Sequence, residues 1–371
     1  MTEGPTDAEL QELGLYDPSW PHAAEQMEML RYLLSIGATT ADLVEYRDEL
    51  PALGTVVTAR PGVPRYTSDE VTAKTGMSNE LLTRLWRAAG FPEVPPDVVA
   101  FSDADLEMLQ LIAASQTLFG EEAVMQLTRV IGSSLARIAD AAVSAFLVNI
   151  EVPIVAQEPQ GMAIAKANFA AASLLPGLSR AMDILLRHHI LAARRSLVAW
   201  QETGASGFEM QTLAVGFIDL VGSTELAQIL PTRELGSALT EFETRAADAV
   251  VSRRGRVVKL IGDEVMFVAP DAATACEIAL EVAEACTGHA VLPPARAGIA
   301  GGDVLTRDGD YFGPVVNLAA RVVKAAEPGS VSVPGTLQET LEAAGFRCDP
   351  AGVFALKGID ADVALVRVSR D

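Results

Sequence analysis

One break in texture, at Thr203-Gly204-Ala205-Ser206-Gly207, limits what this chain of 371 residues can fold into more than any other feature. Small residues there favour no regular structure, so the stretch reads as a flexible hinge. Before it almost every pattern is helical; after it strands alternate with helices. A single core does not serve both textures, and the length allows two cores. The expectation is two domains, 1–205 and 206–371.

In the first, Ser68-Asp69-Glu70, Ser78-Asn79-Glu80 and Ser102-Asp103-Ala104-Asp105 each read as a helix start with early acidic residues. Residues 66–112 form a small helical module. An Ala/Leu/Met/Ile-rich helical region runs from about Leu106 to Asn149, with breaks at Pro153 and at Pro159-Gln160-Gly161. After Pro176-Gly177 a linker helix runs to about Trp200, within 176–205. On it Met182, Leu186, Ile190, Ala193 and Leu197 recur at steps of three and four, one apolar stripe.

In the second, residues 212–218 predict an apolar strand, and about Ser223 to Arg253 a helix. Arg256–Ile261 and Val265–Ala269 are strands joined by a tight Gly262-Asp263 turn. A helix over about Ala272–Cys286 and a strand over Arg296–Leu305 follow. That order is a ferredoxin-like α/β sandwich. The fold class expected is thus an α-helical N-terminal domain followed by an α/β (ferredoxin-like) C-terminal domain.

The net charge of −21 argues against general nucleic-acid binding and against docking on an anionic membrane. Three cysteines, Cys276, Cys286 and Cys348, have neither the number nor the spacing of a disulfide framework or a zinc site. The start of the chain is polar and acidic, unlike a signal peptide, and no uninterrupted apolar run reaches the roughly 20 residues needed to span a bilayer. The expected location is the cytoplasm.

Chemistry concentrates after the hinge. Asp219 ends the first strand and Asp263 sits in the hairpin turn, and a β-α-β-β sheet sets that strand beside the hairpin. Taken singly, Asp263 also suits a turn and Asp219 a helix cap. Taken together they make two carboxylates whose mutual repulsion magnesium or manganese would relieve while holding a triphosphate. Gly222-Ser223-Thr224 opens a helix whose unpaired N–H groups suit phosphate oxygens, as they also suit an ordinary cap.

Residues 212–368 resemble the catalytic domain of class III nucleotidyl cyclases, most closely the adenylyl cyclases of actinobacteria. The likeness is carried by Phe217-Ile218-Asp219-Leu220-Val221-Gly222-Ser223-Thr224, by Lys259 with Gly262-Asp263, and by Asp310 with Asn317 and Arg321. It implies two divalent cations, Mg2+ or Mn2+, held by Asp219, Asp263 and the Leu220 carbonyl. It also implies base reading by Lys259 and Asp310, and ribose and α-phosphate contacts by Asn317 and Arg321. Lys357 falls where the family has a triphosphate lysine. The expected reaction takes ATP to 3′,5′-cyclic AMP and pyrophosphate by in-line attack. The family's sites are shared between subunits, so a homodimer is expected. One departure is Asp303, where many members carry an arginine. Gly262-Asp263-Glu264-Val265 is also similar to the Gly-Gly-Asp-Glu-Phe signature of diguanylate cyclases.

The helical half resembles the autoregulatory domain of actinobacterial adenylyl cyclases that respond to acid. On that reading His188 and His189 become candidate pH-responsive residues, since histidine changes charge between pH 5 and 8. The same resemblance leaves room for a lipid or fatty-acid effector. Residues 66–112 are similar to a MerR-like helix-turn-helix, but from Arg65 to Ile112 four basic residues face eight acidic ones, unlike a DNA-binding module. The competing readings are a degenerate cyclase that binds nucleotide or a partner without turnover, and a cyclase-linked DNA-binding regulator.

Overall fold

The computed structural model of the chain describes residues 4–156, 161–201 and 210–370; the hinge expected at 203–207 lies outside them. The chain separates into two compact units, Met1–His189 and Ile190–Asp371.

The first unit is helical: α1 (Asp7–Glu12), α2 (Ala23–Ser35), α3 (Thr40–Glu45), α4 (Leu53–Ala59), α5 (Ser68–Thr75), α6 (Asn79–Ala88), α7 (Asp103–Phe119), α8 (Glu121–Phe146), α9 (Val152–Val155), α10 (Met162–Ala172) and α11 (Leu175–Gln201), the last of which crosses the division between units. One core gathers Leu10, Leu30, Leu33, Leu43 and Leu53 with Ala165. A second gathers Val71, Leu82, Leu85, Phe101, Leu109 and Met125. Buried Asp42 is held by Thr39 across a capping box and by Arg60, with Nη2 at 2.5 Å. Those hydrogen bonds hold its carboxyl below the usual range although desolvation, the largest single influence, pushes it up.

Local chemistry sets the helix ends. The cap of α5 is Thr67 rather than Ser68; its hydroxyl accepts from the Glu70 N–H while the Glu70 carboxylate accepts from the Thr67 N–H. Gly76, at φ +76°, ends α5 and turns the chain into α6, so the module has a helix-turn-helix outline. The long region expected from Leu106 is two helices, broken at Gly120. Pro176 lies inside the first turn of α11, where a missing N–H costs nothing.

The stretches Glu121–Val155 and Met162–Arg195 are long and apolar enough to cross a membrane by length and composition alone, and little of either is buried. The expectation from the sequence concerned an uninterrupted apolar run, whereas these stretches qualify on average composition. Isolated charges such as Arg137, Asp140 and Glu151 interrupt the apolar run without making the average polar.

The second unit carries one sheet in the order β2-β3-β1-β4-β6-β8-β7, with β5 on β4. The strands are β1 (Met210–Leu220), β2 (Arg256–Ile261), β3 (Glu264–Ala269), β4 (Ala295–Arg307), β5 (Asp310–Phe312), β6 (Val331–Pro334), β7 (Phe346–Phe354) and β8 (Val363–Arg370). The helices are α12 (Ser223–Ile229), α13 (Thr232–Ser252), α14 (Ala272–Cys286), α15 (Pro314–Ala325) and α16 (Gln338–Ala343). The single helix expected over 223–253 is interrupted at Pro231, which caps α13 and has no N–H with which to continue α12. The ferredoxin-like core is present as β1, β3 and β4 antiparallel, with β2 outside β3.

β1 is central and apolar on both faces, as a strand covered on both sides must be. Its even-numbered residues Ala214, Ile218 and Leu220 pack with Phe242, Ile278 and Ala279 of α13 and α14. Its odd-numbered residues Leu213, Val215 and Phe217 pack with Ala319 and Val323 of α15. Alternation therefore places Asp219, the next odd position, on the α15 face.

Candidate active site

The Asp219 backbone pairs with Glu264 of β3 on one side and Arg296 of β4 on the other. Pairing keeps facing residues on the same side of a sheet, so all three side chains share the α15 face. Asp219 is 5% exposed. Arg296 donates to its Oδ2 from Nε at 2.9 Å and Nη2 at 2.7 Å. Lys324, in the last turn of α15, lies 3.1 Å from Oδ1 of Asp219 and 2.6 Å from Oε2 of Glu264. Burial works to lower the Lys324 pKa, but the hydrogen bonds to Glu264 and Asp219 outweigh it and the net direction is up.

Asp263 lies beside this cluster. The β2–β3 turn needs Gly262 at φ +67°, and the Leu220 N–H donates to the Asp263 carbonyl at 3.3 Å. Ser223, the first residue of α12, donates its hydroxyl hydrogen to Asp263 Oδ2. Gly222 precedes it in the left-handed region at φ +81°. The side chain of Thr224 lies outside the described residues. Asp219, Leu220, Ser223 and Asp263, separate in sequence, thus meet at one corner of the sheet.

Their donor chemistry is hard oxygen. No group of three or more His, Cys, Asp or Glu able to hold a metal occurs among the described residues. Two carboxylates with a nearby carbonyl suit magnesium or manganese, which keep waters and share substrate phosphates; they do not suit a closed zinc site.

A second contact joins Lys259 of β2 to Asp310 of β5, with Nζ 2.6 Å from Oδ2. Asp310 is positioned further by accepting from the Tyr311 N–H at 2.8 Å. Both side chains are about one-third exposed, accessible to a ligand. Asn317 and Arg321 are exposed one turn apart on α15, and Lys324 continues the same row. Lys357 is exposed between β7 and β8. Asp303, noted in the sequence as a departure from the family's arginine, is exposed and accepts from Thr212 Oγ1 across β1 and β4. In the helical unit His188 and His189 are exposed on α11.

Sequence reasoning missed Arg296, Glu264 and Lys324. Lys324 was within reach: Asn317, Arg321 and Lys324 follow i, i+4, i+7, one face of a helix. Arg296 and Glu264 become visible only once the β1 pairings are known.

Comparison with known proteins matches each unit to a family. Residues 208–366 match the adenylate and guanylate cyclase catalytic domain, and residues 14–192 the adenylate cyclase regulatory domain. An adenylate cyclase of Streptomyces coelicolor is 36% identical over 75% of this chain and 72% of its own. The chain belongs to the class III adenylate cyclases. A pH-sensitive adenylate cyclase of Mycobacterium tuberculosis is 31% identical over 98% of this cyclase and 92% of its own length. An uncharacterized protein of the same species is 35% identical over 91% and 89%. The helical unit of this cyclase thus corresponds to a regulatory domain and the sheet unit to a catalytic one.

Proposed function

We propose that this cyclase converts ATP to 3′,5′-cyclic AMP and pyrophosphate, and that the Lys259–Asp310 contact is the observation that carries the choice of ATP. Adenine offers an acceptor at N1 beside a donor amine at N6. An ammonium next to a carboxylate matches that order. Guanine offers a donor at N1 and an acceptor at O6, leaving both protein groups mismatched. Each mismatch in a desolvated pocket costs on the order of 1–3 kcal/mol.

Asp219, Asp263 and the Leu220 carbonyl would hold two Mg2+ or Mn2+ ions. Bound there, the ions would lower the pKa of the ribose 3′-hydroxyl and neutralise charge on the phosphates. Arg321 stabilises negative charge at the α-phosphate as the 3′-oxygen attacks in line, and Asn317 orients the ribose. Lys357 and the Gly222-Ser223-Thr224 turn hold triphosphate oxygens. The sites are composite, built by a head-to-tail homodimer in which Asp219 and Asp263 of one subunit face Lys259, Asp310, Asn317 and Arg321 of the other.

The domain boundary lies near residue 205, and the helical half regulates the catalytic half through α11. His188 and His189 sense pH, and the apolar helices offer room for a lipid or fatty-acid effector. The protein acts in the cytoplasm. The exposed positions of both histidines and the pH-sensitive relative support this regulatory reading.

The deciding experiment incubates full-length protein with Mn2+ and either ATP or GTP, then quantifies cyclic nucleotides by chromatography. Cyclic AMP should form at least about tenfold faster than cyclic GMP, and Asp310→Ala should raise KM for ATP and narrow that ratio. Absence of product, or a preference for GTP, would refute the assignment.

A further inference from the structure

Asp219 has both carboxylate oxygens engaged by cations. The Arg296 guanidinium takes Oδ2 with two N–H groups and uses Nη1 on the Lys324 carbonyl at 3.3 Å. That fork ties β4, β1 and the end of α15 together, and its side chain is 23% exposed. Oδ1 is left to Lys324 alone among these cations. Lys324 differs in kind: its side chain is 50% exposed, on a flexible stem, and its shorter contact is with Glu264 rather than Asp219.

We propose that Lys324 is a tethered cation that competes with a divalent ion for Asp219 Oδ1. When metal binds, the ammonium swings off Asp219 and stays on Glu264. The inference rests on the proposed reading of Asp219 as a metal ligand. Arg296 is the fixed partner that orients the carboxylate, and Lys324 the movable one that sets how tightly metal binds.

Strand pairing explains why such a device is needed. Asp219 and Glu264 face each other directly in the β1–β3 ladder. Like charges opposite one another destabilise a sheet. Lys324 bridges them at 3.1 and 2.6 Å and removes that repulsion. The cluster is therefore stable without metal, and a divalent ion gains only the difference between its own attraction and that of the lysine. Two effects follow from removing the ammonium: metal binds more tightly, and the metal-free protein becomes less stable. A lysine serving only as a structural strut would give the second effect without the first.

The test measures Mn2+ binding to full-length protein without nucleotide, by the loss of the free-ion paramagnetic resonance signal. Lys324→Met and Lys324→Gln keep most of the side-chain length and remove the charge. Each should bind Mn2+ about two- to fivefold more tightly than the unaltered protein, the size expected of one half-exposed ion pair. Each should also melt at a lower temperature without metal, and gain more from added Mn2+. Unchanged or weaker Mn2+ binding in both variants overturns the proposal. Asp219→Asn separates this result from failure of the metal reading. It should abolish the site; if it binds Mn2+ as the unaltered protein does, the ion sits elsewhere and the underlying assignment falls as well.

Discussion

A carboxylate as buried as Asp219 is tolerated because each of its oxygens meets a cation, Lys324 on one and Arg296 on the other. Removing one partner of such a pair leaves a charge that the interior cannot solvate. The cysteines show the opposite use of burial. Desolvation pushes the Cys286 thiol up to about 11, and Cys276 is raised by the same cause, so both pack as small apolar groups rather than nucleophiles. His188 and His189 are both exposed. If they carry the pH response, the full-length enzyme should be several-fold more active near pH 6 than near pH 8. The double substitution His188→Ala/His189→Ala should flatten that profile. An identical profile in the variant assigns pH sensing elsewhere.

At the scale of elements, α15 decides the site. Gly298 of β4 lies directly beneath it: a Cβ at that position would stand 2.1 Å from Val323 N and 2.6 Å from Val323 Cα. The contact is backbone on backbone, so no side-chain rotation relieves it. Only glycine lets the helix come close enough for Lys324 to reach Asp219. Gly298→Ala must therefore lift α15 off the sheet. The cost should be about 2 kcal/mol in thermal or denaturant unfolding. Asn317 and Arg321 travel with the helix, and displacement by about 1 Å can lower turnover on the order of a hundredfold. Steady-state kinetics should show kcat falling further than KM rises. Unaltered melting and kinetics in this variant would mean that the close approach is dispensable.

For the whole molecule, the proposed assembly makes a quantitative prediction. If each site takes its metal carboxylates from one subunit and Arg321 from the other, Asp263→Ala and Arg321→Ala should each be inactive alone. Their heterodimer has one site with both lesions and one with neither. Random mixing should therefore restore about a quarter of normal activity. No recovery from a mixture shown by co-purification of two differently tagged variants to exchange subunits would exclude a shared site. The charge of −21 is compatible with an enzyme that binds an anionic nucleotide, because the cations are gathered locally: Lys259, Arg296, Arg321 and Lys324 all belong to the sheet unit.

Much of this protein is legible in the sequence by itself. A continuous apolar run, turn chemistry and helical patterning identify β1, the Gly262-Asp263 hairpin and α14, because a strand buried on both faces and a tight turn leave local marks. The same local marks bring Asp219 and Asp263 to notice, since each sits at a strand end or turn that the backbone requires, whereas Lys259 is singled out by the family resemblance. Pro231 is a local signal too, and its break between α12 and α13 could have been foreseen. What the tertiary structure alone decides is partnership. Whether Arg296 faces Asp219 depends on the β1–β4 register, and a shift of one residue would place it on the opposite face of the sheet. Whether Lys324 reaches the same carboxylate depends on how closely α15 packs over Gly298. Strand β6 pairs parallel with β4, and β7 and β8 extend the sheet beyond it. Such pairings join residues far apart in the chain, and neither composition nor periodicity encodes their register. Residue type and spacing state which groups are available for chemistry; packing states which of them touch.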